Sequence, residues 1–293
     1  MIQGVYVPLL TAFTDDGGVD VAACVAHAQW SVDCGVDGLV PFGTSGEGPS
    51  LSFDERLRVL DALLGALPDT PIVATVTDPS LDAALHLIEA CNDRPLQAVM
   101  VLPPFYFRPV SDEPLARFFE PIVAASQHPV LLYHIPELAP AIPLTLVERL
   151  PIWGVKDSGG DLAYTRAVIE SGKPVMVGAE HTIVDAVLAG AAGTIAGTAN
   201  VLPEHLSAAV ARAKAGDEVG ARQAIWQLLD FRDELLSRLA PLEWLSALKV
   251  LATARHGIPL GGGRPPVPTV ASETVRDVVP RMREALDRLV ALA

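Results

Sequence analysis

The chain has 293 residues, of which 50% are hydrophobic, 19% charged and 5% aromatic. This apolar content excludes intrinsic disorder, and the length suits one large core with a small appendix rather than several domains. The net charge of -14 and the lack of any basic run exclude nucleic acid as a partner.

Membrane insertion and export are also disfavoured. Every apolar run is cut by Gly, Pro, Asp or Arg before the roughly 18 residues that a membrane-spanning helix needs. The opening segment MIQGVYVPLL lacks the basic region and cleavage site of a signal peptide. Cys24, Cys34 and Cys91 show no CxxC spacing and are typical of reduced, buried thiols. We therefore expect a soluble, cytoplasmic protein with no membrane partner.

Eight short apolar runs recur through the first two hundred residues or so, with helical patterns between them. Each run is continuous rather than alternating, which is typical of parallel strands buried on both faces. The runs are GVYVPLL from Gly4, DGLVPFG from Asp37, PIVATVT from Pro71, QAVMVLPP from Gln97, PVLLYHIP from Pro129, IWGVKDS from Ile152, PVMVGAE from Pro174 and GTIAGTAN from Gly193.

Helix start signals lie between these runs. Ser52 with Glu55 forms a capping-box pattern that predicts a helix over 53–67, and Asp161 is placed to cap a helix that ends before Gly172. Further helical patterns cover 182–189 and 204–215.

The alternation of eight strands with helices predicts a (β/α)8 TIM barrel over residues 1–216. A doubly wound open sheet is the alternative, although no GxGxxG follows the first strand. After about Asp217 the strand patterns stop, and we predict a C-terminal helical domain over 217–293. Its helical patterns cover 221–239, 242–256 and 272–292, the last broken at Pro280. The surplus of apolar helix faces favours contacts between subunits.

Lys156 stands at the end of the sixth strand, where the active site of a barrel collects. It is the one lysine of four that directly follows an apolar strand. Burial there disfavours the charged form of an amine and favours a nucleophile. A structural ion pair with Asp157 or Glu47 is the alternative.

Other strand ends carry weaker signals. The turn GTSGEG from Gly43 offers hydroxyls and backbone N–H groups that suit a carboxylate or phosphate, with a purely structural turn as the alternative. It lacks the GK[ST] ending of a nucleotide loop. Tyr133, near the end of the fifth strand, suits proton exchange or packing.

Metal and other nucleophile chemistry have little support. The seven histidines form no HxH or HExxH pair, and we predict no metal site, although His134 and His181 are placed to meet at the barrel mouth. The chain has no GxSxG, and no cysteine lies at a predicted strand end.

Four motifs follow one another along the chain. They are Gly43-Thr44-Ser45-Gly46-Glu47, Pro104-Phe105-Tyr106, Tyr133-His134-Ile135-Pro136 and Gly154-Val155-Lys156-Asp157-Ser158. In this order they resemble the motifs of the dihydrodipicolinate synthase / N-acetylneuraminate lyase family. The resemblance implies a TIM barrel with C-terminal helices, assembled as a homotetramer (a dimer of dimers). It also implies class I aldolase chemistry, a carbon-carbon or carbon-oxygen lyase, without metal or organic cofactor.

The resemblance assigns the substrate-binding groups. Lys156 would attack the ketone of pyruvate, or of another 2-oxo acid substrate, and form a Schiff base. Gly43, Thr44 and Ser45 would hold the substrate carboxylate through hydroxyls and backbone N–H groups.

The resemblance also implies a proton relay. Tyr133 would move protons during imine formation and aldol bond making or breaking. Tyr106 would reach into the neighbouring subunit's site and join the relay through Thr44. The carbonyl of Ile195 would accept a hydrogen bond near the lysine.

Departures from the family pattern bear on the substrate. Leu138 stands where lysine-pathway synthases carry an Arg that binds a second carboxylate, and this loss disfavours that activity. His134 replaces the usual Asn, and Glu180 and His181 supply polar groups where sugar-acid lyases contact hydroxyls. We therefore expect a 2-oxo-3-deoxy sugar acid, cleaved to pyruvate and an aldehyde.

Four alternatives remain open at this stage. One is 4-hydroxy-tetrahydrodipicolinate synthase, which uses pyruvate and aspartate semialdehyde. Another is a sugar-acid dehydratase acting through the same lysine imine. A metal-dependent aldolase and a non-catalytic 2-oxo acid binding protein complete the set.

Overall fold

The computed structural model describes residues 1–108, 111–236 and 243–271, together with residues 273, 275, 276, 279 and 280. Within these ranges each of the eight apolar runs contains one strand, as predicted. The strands are β1 (Gly4–Val7), β2 (Gly38–Leu39), β3 (Val73–Val76), β4 (Ala98–Val101), β5 (Val130–His134), β6 (Gly154–Asp157), β7 (Val175–Val177) and β8 (Gly193–Ile195).

The strands form one parallel sheet that closes on itself. Their order is β2-β1-β8-β7-β6-β5-β4-β3, so β1 pairs with β8, with Gly4 opposite Gly193. A parallel bridge between Leu39 and Ile72 joins the two remaining edges, and Leu39 N–H donates to the Pro71 carbonyl at 2.9 Å. The predicted TIM barrel is thus confirmed, and the open-sheet alternative is wrong.

Helices follow the strands around the barrel. Ser52 and Glu55 form the predicted capping box, with backbone-to-side-chain distances of 2.9 and 3.2 Å, and the Asp161 carboxylate caps its helix by accepting from Ala163 N–H. The helices are α1 (Val21–Asp33), α2 (Phe53–Ala66), α3 (Leu81–Asn92), α4 (Asp112–Ala125), α5 (Leu144–Arg149), α6 (Leu162–Glu170), α7 (Ile183–Leu188), α8 (Pro203–Lys214), α9 (Glu218–Leu236) and α10 (Glu243–His256).

Successive side chains of a strand point to opposite faces of the sheet, and this alternation divides the core into two layers. One cluster fills the barrel interior and includes Tyr133, while the other lies between the strands and the helices and includes Val155. Lys156 therefore points into the barrel. Its neighbour Asp157 points outward and accepts a hydrogen bond from Thr165 Oγ1 on α6 at 2.6 Å.

The C-terminal helices pack on one side of the barrel. Helix α9 lies against α7 and α8, and α10 lies against the short helical turn Gly197–Asn200 that follows β8. The predicted domain boundary falls in the turn between α8 and α9, and the division there remains our proposal. The predicted helix over 272–292, with its break at Pro280, lies largely outside the described residues. Within the described ranges, no helix is both long and apolar enough to cross a bilayer.

Candidate active site

A cavity of about 600 Å3 opens at the C-terminal ends of the strands. The barrel brings almost all of the predicted site residues to its wall, although they are spread over more than 150 positions of the chain. They are Gly43, Thr44 and Ser45 after β2, Tyr133 on β5, Lys156 on β6, Glu180 and His181 after β7, and Ile195 on β8.

Lys156 lies near the base of this cavity and is only 6% exposed. It is directly opposite Tyr133 in the pairing of β5 with β6, and its Nζ lies 3.7 Å from the centroid of the Tyr133 ring. In the described part of the chain the amine makes no ion pair. The Asp157 carboxylate is bonded to Thr165 and to Gly159 N–H, and Glu47 is paired with Lys249. The predicted ion-pair alternative is therefore wrong.

Space beside the lysine depends on a glycine at the end of β7. A Cβ atom at Gly178 would lie 2.0 Å from Ser158 Oγ and 2.9 Å from Lys156 Cε. Both distances are too short for non-bonded atoms, so a side chain there would displace the reactive amine.

Tyr133 is the acid–base candidate next to Lys156. Its side chain is buried, and its hydroxyl is hydrogen-bonded to Thr44 Oγ1 at 3.1 Å. Burial acts to raise the pKa of Tyr133, but the charge of Lys156 and hydrogen bonds from Lys156, Thr44 and Ser158 outweigh it and lower the pKa. The phenol therefore ionises more readily than a free tyrosine.

The turn after β2 presents unpaired donors to the cavity. Gly48 N–H donates to the Gly43 carbonyl and Glu47 N–H to the Thr44 carbonyl, both at 3.1 Å. Among the described residues, the N–H groups of Thr44 and Ser45 have no protein acceptor. Two free N–H groups and two hydroxyls in one tight turn suit the oxygens of a carboxylate.

The rim of the cavity carries polar groups from the loops after β7 and β8 and from α9. The Glu180 carboxylate lies 3.3 Å from Arg232 Nη1 and accepts a hydrogen bond from Thr198 Oγ1, also at 3.3 Å. His181 is exposed at the same rim. The rim therefore offers hydroxyl, imidazole and carboxylate groups around an ion pair.

The cavity lining also includes large apolar side chains. Leu138, which stands where lysine-pathway synthases carry an Arg, is one of them, and α10 adds Trp244, Leu245 and Leu248. None of these side chains can pair with a charged group of a substrate.

Ser158 and Arg232 are polar residues of the cavity wall that the sequence analysis did not assign to the site. Ser158 follows Lys156 by two positions and belonged to a quoted motif, but nothing in the sequence showed that its hydroxyl reaches Tyr133. Arg232 lies 52 positions from its partner Glu180 in a predicted helix. Only its ion pair with Glu180 in the folded protein identifies Arg232 as a residue of the cavity wall.

Tyr106 is 79% exposed, packs edge-to-face against Phe107, and does not line the cavity of its own subunit. Its role in a neighbouring subunit's site stays a prediction.

One predicted placement differs from the structure. His134 does not meet His181 at the barrel mouth. It lies on the outer face of β5, where its ring stacks on Tyr164 and its Nδ1 accepts from Ile142 N–H at 3.1 Å. His134 is therefore a packing residue, since side chains alternate along the strand.

Metal-ligating side chains do not converge in this region. Across the described residues, no group of three or more His, Cys, Asp or Glu side chains is arranged to hold a metal ion.

A closed parallel barrel with a buried lysine on β6 facing a tyrosine on β5 defines a class I lyase of the aldolase type. The profile of the dihydrodipicolinate synthetase family matches residues 1–284. The chain belongs to this family, as the sequence motifs predicted.

Proteins similar to this chain include a synthase and an aldolase. The chain is 34% identical over 250 residues to 4-hydroxy-tetrahydrodipicolinate synthase from Agrobacterium fabrum, with 80% of this chain and 81% of the relative covered. A structure of a 2-keto-3-deoxygluconate aldolase variant from Sulfolobus solfataricus with pyruvate has a TM-score of 0.87 at 26% identity, covering 99% of this chain and 98% of that chain. Another variant, with L-2-keto, 3-deoxy-galactonate, has a TM-score of 0.90 at 25% identity and the same coverage, 99% and 98%.

Proposed function

We propose that this protein is a pyruvate aldolase that reacts through an imine on Lys156, with a 2-oxo-3-deoxy sugar acid as its substrate. The observation that carries the proposal is the amine itself. It is buried in the cavity, has no ion-pair partner among the described residues, and lies 3.7 Å from the ring of Tyr133. A buried amine beside an acid–base group suits imine formation with a ketone.

The bond changes follow from that imine. Lys156 Nζ attacks C2 of the 2-oxo acid, and the C2 oxygen leaves as water to give a protonated imine. In the cleavage direction the C3–C4 bond breaks and its electron pair moves into the imine, which becomes an enamine. The C4 hydroxyl loses its proton as the aldehyde departs. Protonation at C3 and hydrolysis then release pyruvate and the free amine.

The chain's own groups move protons and hold the substrate. The lowered pKa of Tyr133 favours its phenolate, which takes the C4 hydroxyl proton and becomes the phenol, and Thr44 Oγ1 continues the hydrogen-bond path. The carboxylate is held by the hydroxyls and N–H groups of Thr44 and Ser45, with Gly43 preceding them. Ile195, at the end of β8, lines the cavity, and its carbonyl is the proposed acceptor near the lysine.

The polar rim supports a sugar acid as the substrate. Glu180, His181 and Ser158 provide groups that hydrogen-bond to the hydroxyls of a polyol chain. The similar aldolase crystallised with a 2-keto-3-deoxy sugar acid agrees with this choice.

A second candidate is the condensation of pyruvate with aspartate semialdehyde. It is favoured by the relative named 4-hydroxy-tetrahydrodipicolinate synthase. That reaction needs a cation for the second carboxylate, whereas Leu138 is apolar and Arg232 is already paired with Glu180. We therefore rank it second. A dehydratase would use the same imine but eliminate water instead of an aldehyde.

Assembly and location are part of the proposal. The exposed Tyr106 and Phe107 support a subunit interface, because large exposed aromatic groups are unfavourable in water. We propose a homotetramer in which Tyr106 completes the site of a neighbouring subunit, acting in the cytoplasm.

Borohydride trapping tests the imine. The protein is reduced in the presence of pyruvate, and the product is analysed by intact mass and peptide mapping. We expect one pyruvyl adduct on Lys156 and none in a Lys156→Arg variant. Lys173→Arg, which changes a lysine bonded to carbonyls of Leu150 and Ile152, is the matched control and retains the adduct. An unmodified wild-type protein would contradict the mechanism.

Substrate choice is tested by a separate assay. Pyruvate is combined with glyceraldehyde or with aspartate semialdehyde, and the C–C bond-forming rates are compared. A higher kcat/KM for glyceraldehyde supports the sugar-acid proposal. A higher value for aspartate semialdehyde would move the second candidate to first place. With a 2-oxo-3-deoxy sugar acid as the only substrate, loss of water without release of pyruvate would identify a dehydratase.

A further inference from the structure

Glu47 and Lys249 form a fully buried ion pair outside the cavity. Lys249, on α10, is 0% exposed, and its Nζ lies 2.5 Å from Glu47 Oε1. The same amine donates to the Gly262 carbonyl at 2.9 Å and lies 4.2 Å from the ring of Phe13. Burial lowers the pKa of Lys249 although Glu47 opposes the shift, so the carboxylate is what stabilises the charge there.

The segment after α10 makes a second set of contacts with the same turn. Arg264 N–H donates to Glu47 Oε2 at 2.8 Å, and the Arg264 guanidinium donates to the Ser50 carbonyl, also at 2.8 Å. The guanidinium also pairs with Glu55, whose pKa it lowers to about 2, and donates to the Gly17 carbonyl at 2.6 Å. Both ends of Glu47–Ser50 are therefore held by the C-terminal extension.

The turn needs such support because its backbone is strained. Phe42 and Glu47 have φ angles of 66° and 51°, in the left-handed region that side chains other than glycine rarely adopt. The chain closes so tightly here that a Cβ at Gly48 would lie 1.9 Å from the Phe42 carbonyl oxygen. Strained residues persist only where surrounding contacts hold them.

We propose that Glu47 and Lys249 are positioning residues for Thr44 and Ser45, so that α10 and the segment 257–264 set the geometry with which a substrate carboxylate is bound. Neither residue lines the cavity. They act through the turn, whose N–H groups and hydroxyls contact the ligand. This inference rests on the proposed function, because it takes the turn to bind the carboxylate of pyruvate.

The test uses a variant that leaves no unpaired charge. Removing one member of a buried ion pair leaves the other charge in the interior, whereas replacing both by neutral groups of similar size is often tolerated. Glu47→Gln with Lys249→Met is therefore the informative double variant, beside Glu47→Gln alone. The matched control is Glu204→Gln, which breaks the 2.7 Å ion pair between α8 and Arg255 of the same helix α10.

The first readout compares pyruvate with pyruvamide, its neutral analogue, by the rate of borohydride trapping. A site built for a carboxylate loses its preference for pyruvate over pyruvamide when its hydrogen-bond donors move. A displacement of about 1 Å can lower a reaction rate by about 100-fold. We expect the pyruvate-to-pyruvamide ratio to fall by roughly that factor in the double variant and to stay unchanged in the control. An unchanged ratio, or an equal loss for both ketones, would overturn the proposal.

The second readout needs no ligand. Amide hydrogen exchange of Glu47 and Gly48 reports their bonds to the Thr44 and Gly43 carbonyls. We expect exchange about tenfold faster or more in the double variant than in Glu204→Gln. Equal exchange would overturn the proposal. If wild-type protein traps no pyruvate, the proposed function fails, and exchange still decides whether this pair holds the turn.

Discussion

The ring and the hydroxyl of Tyr133 contribute differently to the site. The ring lies under the amine of Lys156. The hydroxyl is bonded to Thr44 Oγ1 at 3.1 Å and also takes part in hydrogen bonds with Lys156 and Ser158. Substituting phenylalanine removes only the hydroxyl, so the two contributions can be separated.

Tyr133→Phe should lower kcat by about 100-fold or more, the usual contribution of a positioned acid–base group. The fold and the unfolding midpoint should change little. Tyr164→Phe removes a comparable hydroxyl, bonded to the Ile142 carbonyl at 2.8 Å outside the cavity wall, and should keep wild-type kcat. Steady-state kinetics of both variants measure this, and equal kcat values would show that the Tyr133 hydroxyl does not move the proton.

Gly178→Ala should abolish imine trapping and destabilise the protein by about 1–3 kcal/mol, because its Cβ would overlap Ser158 and crowd Lys156. Gly65→Ala is the control. It lies in α2 with open space around the new Cβ, and should stabilise the protein by up to about 1 kcal/mol. Urea unfolding and borohydride trapping of the two variants test this, and a reactive Gly178→Ala protein would contradict the steric explanation.

Between elements, two histidines link α1 and α10 to the turn that lines the cavity after β8. His256 Nδ1 accepts from Ile258 N–H at 3.0 Å, so its Nε2 carries the proton and donates to His27 Nδ1 at 3.1 Å. His27 Nε2 must then donate to Asn200 Oδ1, at 3.0 Å, and Asn200 Nδ2 donates to the Gly197 carbonyl. This series of hydrogen bonds requires the imidazoles of His27 and His256 to be neutral.

The stability of the fold should therefore fall on acidification. Burial lowers the pKa of His27 from 6.5 to about 4, and burial lowers that of His256 to about 4 as well. Between these values the unfolded chain binds protons that the folded protein does not, so the free energy of unfolding decreases as the pH falls from 6.5 towards 4. For His27 the full loss is about 3 kcal/mol.

Urea unfolding at a series of pH values measures that loss. A His27→Gln variant, which replaces the ring by a group that does not titrate, should show a shallower decline. His86→Gln, at an exposed position on α3, should keep the wild-type decline. If the free energy of unfolding falls equally with pH in wild type and in His27→Gln, His27 does not cause the loss of stability.

At the scale of the whole molecule, the exposed Tyr106 raises the question of whether a neighbouring subunit contacts it. It lies 79% exposed beside Phe107, which is 77% exposed, and away from the cavity of its own subunit. If Tyr106 acts in a neighbouring site, two inactive proteins can complement each other.

Mixing Lys156→Ala with Tyr106→Phe under conditions of subunit exchange should restore activity. A mixed pair holds one site with both Lys156 and Tyr106, so about a quarter of all sites should be intact at equal mixing. Each protein incubated alone is the control. Activity that stays at the level of the separate variants would contradict a shared site, as would a monomer in light scattering.

Much of the fold followed from local patterns. Continuous apolar runs marked the eight strands because a parallel strand buried on both faces has no polar positions. The cap residues Ser52 and Asp161 marked helix starts because their side chains bond to their own helix. Helix boundaries were less accurate, because helix ends depend on what they pack against. The α9 helix begins at Glu218, whereas its start was predicted at 221.

The sequence by itself determined the strand order of the motifs, the lysine at the end of β6 and the turn at Gly43, since the residues at strand ends face one rim in any barrel. Only the tertiary structure decided that the barrel closes, that His134 points outward, and that Glu47 pairs with Lys249 rather than with Lys156. These outcomes join segments that lie as much as 202 positions apart, as Glu47 and Lys249 do. Local sequence patterns cannot predict such contacts, because residues far apart in the chain meet only when the helices and strands pack together.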